Sequence, residues 1–157
     1  MTSPTHAATR KSLRVPWYVP LFNPITRFLL AAGVPLGLNG LVTTRGRKSG
    51  LPRTTPIAIV TVSGERWIWA PWGDVHWVRN LRADGRATIT VRRRSEEVTA
   101  TELDPTERVA FFRDTMAPLA RSIPFGVAFI RIADGVDLNH PDEAAEGRRV
   151  FELHAVR

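Results

Sequence analysis

From residue 41 onward the chain is a succession of short apolar runs of strand length, separated by glycine, proline and polar turn residues. Strands are predicted over residues 41–44, 53–62, 65–70, 86–92, 96–103 and 148–156. Ser63 and Gly64 predict a tight turn between two of these runs, which makes a hairpin. Five or six antiparallel strands with helices between them favour a closed or split barrel.

Helical signals interrupt the strands. A helix is predicted from about Asp74 to Arg82, with Asp74 as its N-cap and Gly85 as its stop. A second helix starts at Asp104, which is followed by a proline and by an acid three residues on, and runs to about Met116. Residues 124–132 fit either a helix or a strand, because periodicity does not separate the two in so short an apolar run.

The first forty residues differ from the rest. Residues 1–14 are polar and basic and predict a flexible leader, so that residues 15–157 form a single domain. A short helix between Asn23 and Gly33 has one apolar face, which fits core packing or contact with a membrane or substrate. Prolines interrupt the apolar stretch, which therefore stays short of the roughly 20 residues a membrane span needs. A cytoplasmic protein is expected, with peripheral membrane association left open.

Composition narrows the chemistry. The chain contains no cysteine, which excludes disulfides, thiolate metal sites and cysteine nucleophiles. Its net charge is +7, and Lys11 and Lys48 are the only lysines among mostly arginine cations. Such a bias fits either GC-rich coding or an anionic partner such as a phosphorylated cofactor, nucleic acid or a membrane surface.

The densest chemical signal is the basic loop, residues 45–53. It holds Arg45, Arg47, Lys48 and Arg53, four cations within nine residues, together with two glycines and Ser49. Backbone amides and cations around a glycine-containing turn form a cradle for phosphate or carboxylate groups, although the spacing is not that of a P-loop. A solvated basic turn is the alternative.

Four tryptophans are clustered within residues 67–77, which follow the basic loop in the sequence. Trp67 and Trp69 share one face of a strand, as core residues do, whereas Trp72 lies in the tryptophan loop, residues 71–75, and Trp77 lies just after it. Large rings at a loop are expected to pack on a flat aromatic ligand or on a neighbouring subunit. His76 follows the loop and is either a proton donor near neutral pH or a surface residue.

Other classes of site receive little support. The four histidines are scattered without the spacing of metal ligands, no nucleophile elbow occurs, and no carboxylate pair lies near the basic loop. No metal is therefore expected, and the chemistry is that of a bound organic cofactor. Arg92, Arg93 and Arg94 resemble a phosphate-tracking run, but the glutamates after them favour a solvated hairpin tip with cross-strand ion pairs, so nucleic acid is not expected as a partner.

The segments TTRGRKSGLPRTTP (residues 43–56) and WVRNLRADGRATITV (residues 77–91) resemble the deazaflavin-dependent nitroreductases of actinobacteria, over about residues 38–103. The resemblance implies a mainly β, α+β fold, the split β-barrel of the flavin-reductase-like type. It also implies an enzyme that binds coenzyme F-420, an 8-hydroxy-5-deazaflavin with a phospholactyl-oligoglutamate tail, in preference to FMN. Its reduced ring would give a hydride to a small-molecule acceptor: a quinone, a nitroaromatic or an activated alkene.

The same resemblance assigns the site residues. In the family, the phosphate and tail of the coenzyme bind at the basic loop, and its ring lies against the strand that follows. A second segment that contacts the coenzyme comes after the tryptophan loop. The cofactor-binding residues that the resemblance gives are Arg47, Lys48, Arg53, Pro56, Ile57, Ala58, Trp77, Asn80 and Leu81. The character of the two loops themselves adds Ser49, Pro71 and Trp72, and His76 beside the tryptophan loop is the catalytic candidate.

Two departures from the family pattern leave an alternative open. Residues 70–74 replace a longer Ser-Lys-Gly-Gly-type loop, and Tyr18 is the only tyrosine where relatives line the acceptor pocket with several. The alternative is a non-catalytic protein that binds fatty acids or other apolar ligands in the same barrel. The sequence leaves the oligomeric state open, although split barrels of this type commonly form homodimers.

Overall fold

The computed structural model describes residues 40–157, so the predicted leader and the helix predicted between Asn23 and Gly33 lie outside the described residues. Within this part of the chain seven strands form one antiparallel sheet in the order β2-β1-β5-β6-β7-β4-β3. The strands are β1 (Gly40–Arg45), β2 (Pro52–Ile57), β3 (Ile59–Val62), β4 (Glu65–Ala70), β5 (Arg86–Val91), β6 (Arg94–Glu102) and β7 (Arg149–Ala155). The predicted mainly β fold with interspersed helices is confirmed.

The run predicted as one strand over residues 53–62 is divided at Ala58. The two parts, β2 and β3, occupy opposite ends of the strand order although a single residue separates them. The sheet must therefore curl until its two edges approach each other. Gly40 at the start of β1 shows how close they come, because a Cβ there would lie 2.5 Å from Cδ1 of Ile59. This curling makes the split barrel.

The barrel interior is filled by alternate residues of the strands and by helix α1 (His76–Asp84). Trp77, Val78 and Leu81 of α1 are buried in this core, and the Trp77 ring lies 5.9 Å from that of Phe151 on β7. As predicted, Gly85 ends the helix in the left-handed conformation, with φ of 72°. The core therefore fixes α1 against the sheet.

A second layer of helices covers the outer face of β3, β4 and β7. It consists of α2 (Pro105–Ala110), a π-helical segment (Phe111–Met116), α3 (Ala117–Ser122), α4 (Gly126–Asp134) and α5 (Pro141–Ala145). Trp67 and Trp69 both face this layer, which confirms their common side, and their rings lie 5.7 and 5.6 Å from those of Phe111 and Phe112. The predicted capping box at Asp104 and Glu107 is present, with both hydrogen bonds at 2.8 Å.

Several helix boundaries differ from the prediction. The N-cap of α1 is Val75, not Asp74, and no side chain caps the helix; His76 is its first residue. The helix that starts after Asp104 continues beyond Met116 as far as Ser122, through a π-helical segment. Pro118 lies just after this segment and lacks the N–H that a regular helical ladder would use.

Two further regions are helical: one that the sequence pattern could not assign to helix or strand, and one for which no helix was predicted. The ambiguous residues 124–132 lie mostly in α4, whereas α5 was not predicted. At the tip of the β5–β6 hairpin, Arg92 and Arg93 have φ of 46° and 68°, as a tight two-residue turn requires. The predicted ion pair within this hairpin is wrong for Glu96, which pairs at 2.7 Å with Arg66 of β4.

Candidate cofactor site

Two glycines shape the basic loop between β1 and β2. The Gly46 N–H donates to the Leu51 carbonyl at 2.8 Å, and the Gly50 N–H donates to the Gly46 carbonyl at 2.7 Å. A Cβ on Gly46 would lie 2.6 Å from Oγ of Ser49, so a larger residue does not fit without a shift of the turn. The result is a compact turn whose tip consists of exposed residues, among them Arg47, Lys48 and Ser49.

A third predicted cation lies beside this turn. Arg53 on β2 is opposite Thr44 of β1, and its Cγ is 3.7 Å from the position of a Cβ on Gly46. The pairing of the two strands is reinforced by a 2.8 Å hydrogen bond between the hydroxyls of Thr43 and Thr54. Exposed guanidinium, ammonium and hydroxyl groups are the donors that phosphate and carboxylate groups bind. These residues therefore fit the anionic tail of a deazaflavin coenzyme.

Asn80 joins the basic loop to α1. Its Oδ1 accepts hydrogen bonds from the Arg47 backbone N–H at 3.3 Å and from Nη1 of the Arg47 guanidinium at 2.9 Å. Its Nδ2 donates to Oγ1 of Thr44 at 3.2 Å. Two segments that are distant in sequence, and that the resemblance assigned to one site, are thus in direct contact.

Trp77 and Leu81, which the resemblance assigned to the same cofactor segment as Asn80, face the barrel core and not the basic loop. Trp77 is 7% exposed and Leu81 is 1% exposed, and both belong to the barrel core. On the strand after the basic loop, Pro56 is half-buried, Ile57 is buried in the same core and Ala58 lies at the bend between β2 and β3. Their contacts with the coenzyme remain predictions.

The tryptophan loop leads from β4 into α1. Pro71 and Trp72 are half-buried, and His76 is exposed. Gly73 has φ of 77°, and a Cβ there would lie 2.9 Å from the carbonyl oxygen of Gly147, so the loop passes tightly against the segment before β7.

Ion pairs hold this loop in place. The Asp74 carboxylate pairs with Arg149 at 2.7 Å and with Arg82 at 3.0 Å, and Glu102 pairs with the same two arginines at 3.7 and 2.6 Å. The hydrogen bond from Arg149 is the main reason that the pKa of Asp74 is lowered, and the hydrogen bond to Glu102 raises the pKa of Arg82. The network ties the tryptophan loop to α1, β6 and β7.

A groove of about 340 Å³ opens where β1 ends and β5 begins. Its lining mixes charges of both signs, Arg45 and Arg86 with Asp84 and Glu97, and includes none of the predicted cofactor-binding residues. A purely anionic tail is therefore better matched by the cations of the basic loop than by this groove.

The sequence did not reveal the supporting roles of Thr44, Arg82, Glu102 and Arg149, and Asp74 was expected to cap α1 rather than to pair with arginines. Thr44 lies inside the motif and is 1% exposed, but a threonine on a strand carries no local sign that it supports a neighbouring helix. Among residues 40–157 no group of three or more acids and histidines could hold a metal ion. In the same residues no helix has the length and apolar character needed to cross a membrane.

The fold and the cationic turn are those of a split-barrel oxidoreductase that works with a bound cofactor. A sequence profile of the F420H2-dependent quinone reductases matches residues 30–122, and the chain belongs to this family. It is therefore an oxidoreductase that depends on coenzyme F-420, as the resemblance implied. No curated protein is detectably similar to the chain in sequence.

One solved structure shares the fold at low identity, and others are similar at lower TM-scores. A structure described as a domain-swapped dimer is 22% identical, with a TM-score of 0.51, over 83% of this chain and 95% of the other. An F420-H2-dependent reductase is 20% identical, with a TM-score of 0.48, over 74% and 94% of the two chains. A conserved hypothetical protein from Mycobacterium tuberculosis is 17% identical, with a TM-score of 0.47, over 94% and 85%.

Proposed function

We propose that this enzyme passes a hydride from reduced coenzyme F-420 to an electron-poor organic acceptor, namely a quinone, a nitroaromatic or an activated alkene. The observation that carries the proposal is the cationic basic loop held against α1 by Asn80, in a chain of the F420H2-dependent quinone reductase family. When bound, the coenzyme supplies the hydride, and the protein supplies binding, orientation and protection from water.

The proposed roles follow the exposure of each residue. Arg47, Lys48, Ser49 and Arg53 are exposed and bind the phosphate and carboxylates of the tail through charge-assisted hydrogen bonds. The half-buried positions Pro56, Ala58, Pro71 and Trp72 border the ring. Ile57, Trp77 and Leu81 are buried and support these surfaces from the core.

His76 is the proposed proton donor to the reduced acceptor. It is exposed at the first position of α1, and an imidazole side chain can act as a general acid. The remaining requirement is positional, since holding donor and acceptor atoms about 3–3.5 Å apart is by itself an effective form of catalysis.

A titration tests this function. Purified full-length protein is titrated with coenzyme F-420, FMN and FAD. In a separate assay the reduced coenzyme is supplied together with menadione, and its oxidation is followed as the return of the visible absorbance of the deazaflavin. We expect coenzyme F-420 to bind more tightly than FMN, with a difference that shrinks as salt rises, because the long tail meets several exposed cations. Equal affinities, tighter FMN binding or absence of turnover would refute the proposal. Fatty-acid binding without coenzyme binding would support the non-catalytic alternative.

Peripheral membrane contact is proposed at the α4 face, formed by Phe125, Phe129 and Ile132. These side chains are 88%, 60% and 86% exposed. Phe129 and Ile132 are three residues apart and so lie on one side of α4, and Phe125 is the residue that precedes the helix. The other side packs Val127 and Ile130 against the helical layer. The helix is thus anchored through one face and presents a second apolar face outward.

Charge favours an anionic lipid surface as the occupant. Arg121 at the end of α3 and Arg131 within α4 are exposed, and the chain carries a net charge of +7. An apolar face flanked by arginines is typical of helices that lie in the membrane interface. Sedimentation with phosphatidylglycerol vesicles, compared with phosphatidylcholine vesicles, tests the contact. The double variant Phe129→Ser with Ile132→Ser should lose binding, the control Leu51→Ser should keep it, and equal binding by both variants would refute the contact.

We also propose a homodimer in a reducing cytoplasm, a compartment that suits a chain without cysteine. One structural neighbour is described as a domain-swapped dimer. Light scattering coupled to size-exclusion chromatography measures the mass directly, and a monomer at all concentrations would exclude the dimer.

A further inference from the structure

Asn80 lies in the interior of the protein between the basic loop and β1. It is 4% exposed, and its hydroxyl partner Thr44 is 1% exposed. It is also flanked along α1 by Trp77 and Leu81, whose burial in the barrel core holds this turn of the helix in place. The carboxamide is therefore fixed by its surroundings and does not project from the surface as a ligand-binding group would.

The hydrogen-bonding capacity of this carboxamide is largely used. Both groups that Arg47 presents, the backbone N–H and the guanidinium, are donors, so the amide oxygen must face the loop. A carbonyl oxygen has two lone pairs, and these two bonds occupy both. The Nδ2 group meanwhile donates to Thr44. Little of Asn80 is left to bind a coenzyme directly.

Arg47, unlike Asn80, keeps most of its hydrogen-bond donors available. Its side chain is exposed, and only one of the five N–H donors of a guanidinium is needed for the contact with Asn80. A long flexible cation held at one point keeps its remaining donors available and loses less conformational entropy when an anion binds.

We propose that Asn80 is a positioning residue: it holds the Arg47 backbone and guanidinium in the orientation that binds the anionic tail, and it is not itself a coenzyme ligand. This inference rests on the proposed function insofar as Arg47 binds the tail. Hydrogen bonds connect Thr44 to Asn80 and Asn80 to Arg47. In this way a buried strand residue and a core helix determine the geometry of an exposed loop.

A double-mutant cycle distinguishes positioning from direct contact. The dissociation constant for coenzyme F-420 is measured for Asn80→Ala, Arg47→Ala and the double variant, with Asn80→Ala plus Lys48→Ala as the matched control. We expect Asn80→Ala to weaken binding about three- to tenfold, the loss from one disordered side chain. The double variant with Arg47→Ala should bind no more weakly than Arg47→Ala alone, whereas the losses with Lys48→Ala should multiply. If the losses with Arg47→Ala also multiply, Asn80 acts independently and the inference is refuted.

A second measurement does not depend on the coenzyme. Hydrogen exchange at the Arg47 amide, followed by NMR in the coenzyme-free protein, should be faster in Asn80→Ala than in the wild type, and the Arg92 amide at the distant β5–β6 turn should be unchanged. Asn80→Asp keeps an acceptor oxygen and should restore slow exchange, but its charge should still weaken coenzyme binding.

The two measurements separate two kinds of failure. A wild-type protein that does not bind coenzyme F-420 refutes the proposed function, whereas exchange at the Arg47 amide still tests the contact with Asn80. Unchanged exchange in Asn80→Ala refutes the positioning role even if the coenzyme binds. If Asn80→Ala does not fold, Thr44→Val removes the hydroxyl acceptor while keeping the shape of the side chain, and should speed exchange in the same direction; no change would refute the inference.

Discussion

Asp74 and Arg149 form a 2.7 Å ion pair across 75 positions of sequence, between the tryptophan loop and the first residue of β7. The same carboxylate pairs with Arg82 of α1, and Glu102 of β6 pairs with both arginines. These contacts replace the helix cap expected of Asp74. The path of the tryptophan loop, and with it the position of Trp72, is therefore set by a charge network between elements that are distant in sequence.

Replacing Asp74 with asparagine should destabilise the protein modestly, by about 0.5–1 kcal/mol, because the network is partly exposed and screened by solvent. The lowered pKa of Asp74, caused mainly by the hydrogen bond from Arg149, determines the pH dependence. Its stabilisation is present above the unfolded-state pKa and is lost as the pH falls through the folded-state value. Urea denaturation of both proteins between pH 7 and pH 3 measures this, and the difference should shrink as the pH falls below the unfolded-state pKa. Asp114→Asn, at a solvent-exposed pair on the π-helical segment, is the control and should have no measurable effect.

Lys48→Ala and Arg53→Ala should each weaken binding of coenzyme F-420 by about 1–3 kcal/mol, the loss of one charged hydrogen bond. The melting temperature without coenzyme should barely change, since exposed charges contribute little to folding. Calorimetric titration and thermal melts measure the two quantities. Arg121→Ala on α3 is a control cation away from the basic loop and should leave affinity unchanged. Normal affinity in both loop variants would contradict the assignment.

His76→Ala should reduce turnover with menadione about tenfold or more if His76 protonates the reduced acceptor, while coenzyme affinity stays nearly constant. The effect should appear in kcat, because the imidazole acts on the reacting acceptor and not on the bound tail. His154→Ala, at an exposed histidine on β7, is the matched control. Full activity of the His76 variant would show that bulk water supplies the proton.

Trp77→Ala should lower stability by about 3–5 kcal/mol, because it removes a large ring from the barrel core and leaves a cavity. Coenzyme affinity and turnover should fall together, since the same helix carries Asn80. Trp77→Phe keeps a ring beside Phe151 and should recover most of both. Chemical denaturation, combined with coenzyme titration at a temperature where the variant is folded, makes the comparison. A Trp77→Ala protein of normal stability would contradict its place in the core.

Burial raises the pKa of Asp134 to about 6, with Arg148 as the opposing charge. Between the unfolded-state value and this pKa the folded protein binds more protons than the unfolded chain, so stability should fall as the pH rises through this interval. Asp134→Asn should therefore stabilise the protein at pH 7.5, by at most about 3 kcal/mol, and should have little effect near pH 4. Asp137→Asn is a control of opposite sign, because the backbone N–H of Asn139 lowers the pKa of Asp137. Equal stability of Asp134→Asn and the wild type at pH 7.5 would show that ionising this half-buried carboxyl does not cost folding free energy.

Features encoded within a few residues could be predicted from the sequence. The capping box at Asp104, the helix stop at Gly85 and the turn at Ser63 depend only on local backbone geometry and short side chains, so their residue types are sufficient evidence. The chemical character of the basic loop is likewise independent of the fold, because its cations and glycines are adjacent in sequence. The same residues carried the family resemblance.

The tertiary structure alone decided which distant groups meet. Asn80 contacts Arg47 across 33 positions, and Asp74 contacts Arg149 across 75, only because the sheet curls at Ala58 and α1 packs into the barrel. The same closure buries Trp77 in the core. Local periodicity reports which face of an element is apolar, but it carries no information about which other element covers that face, because that choice is made by the packing of the whole barrel.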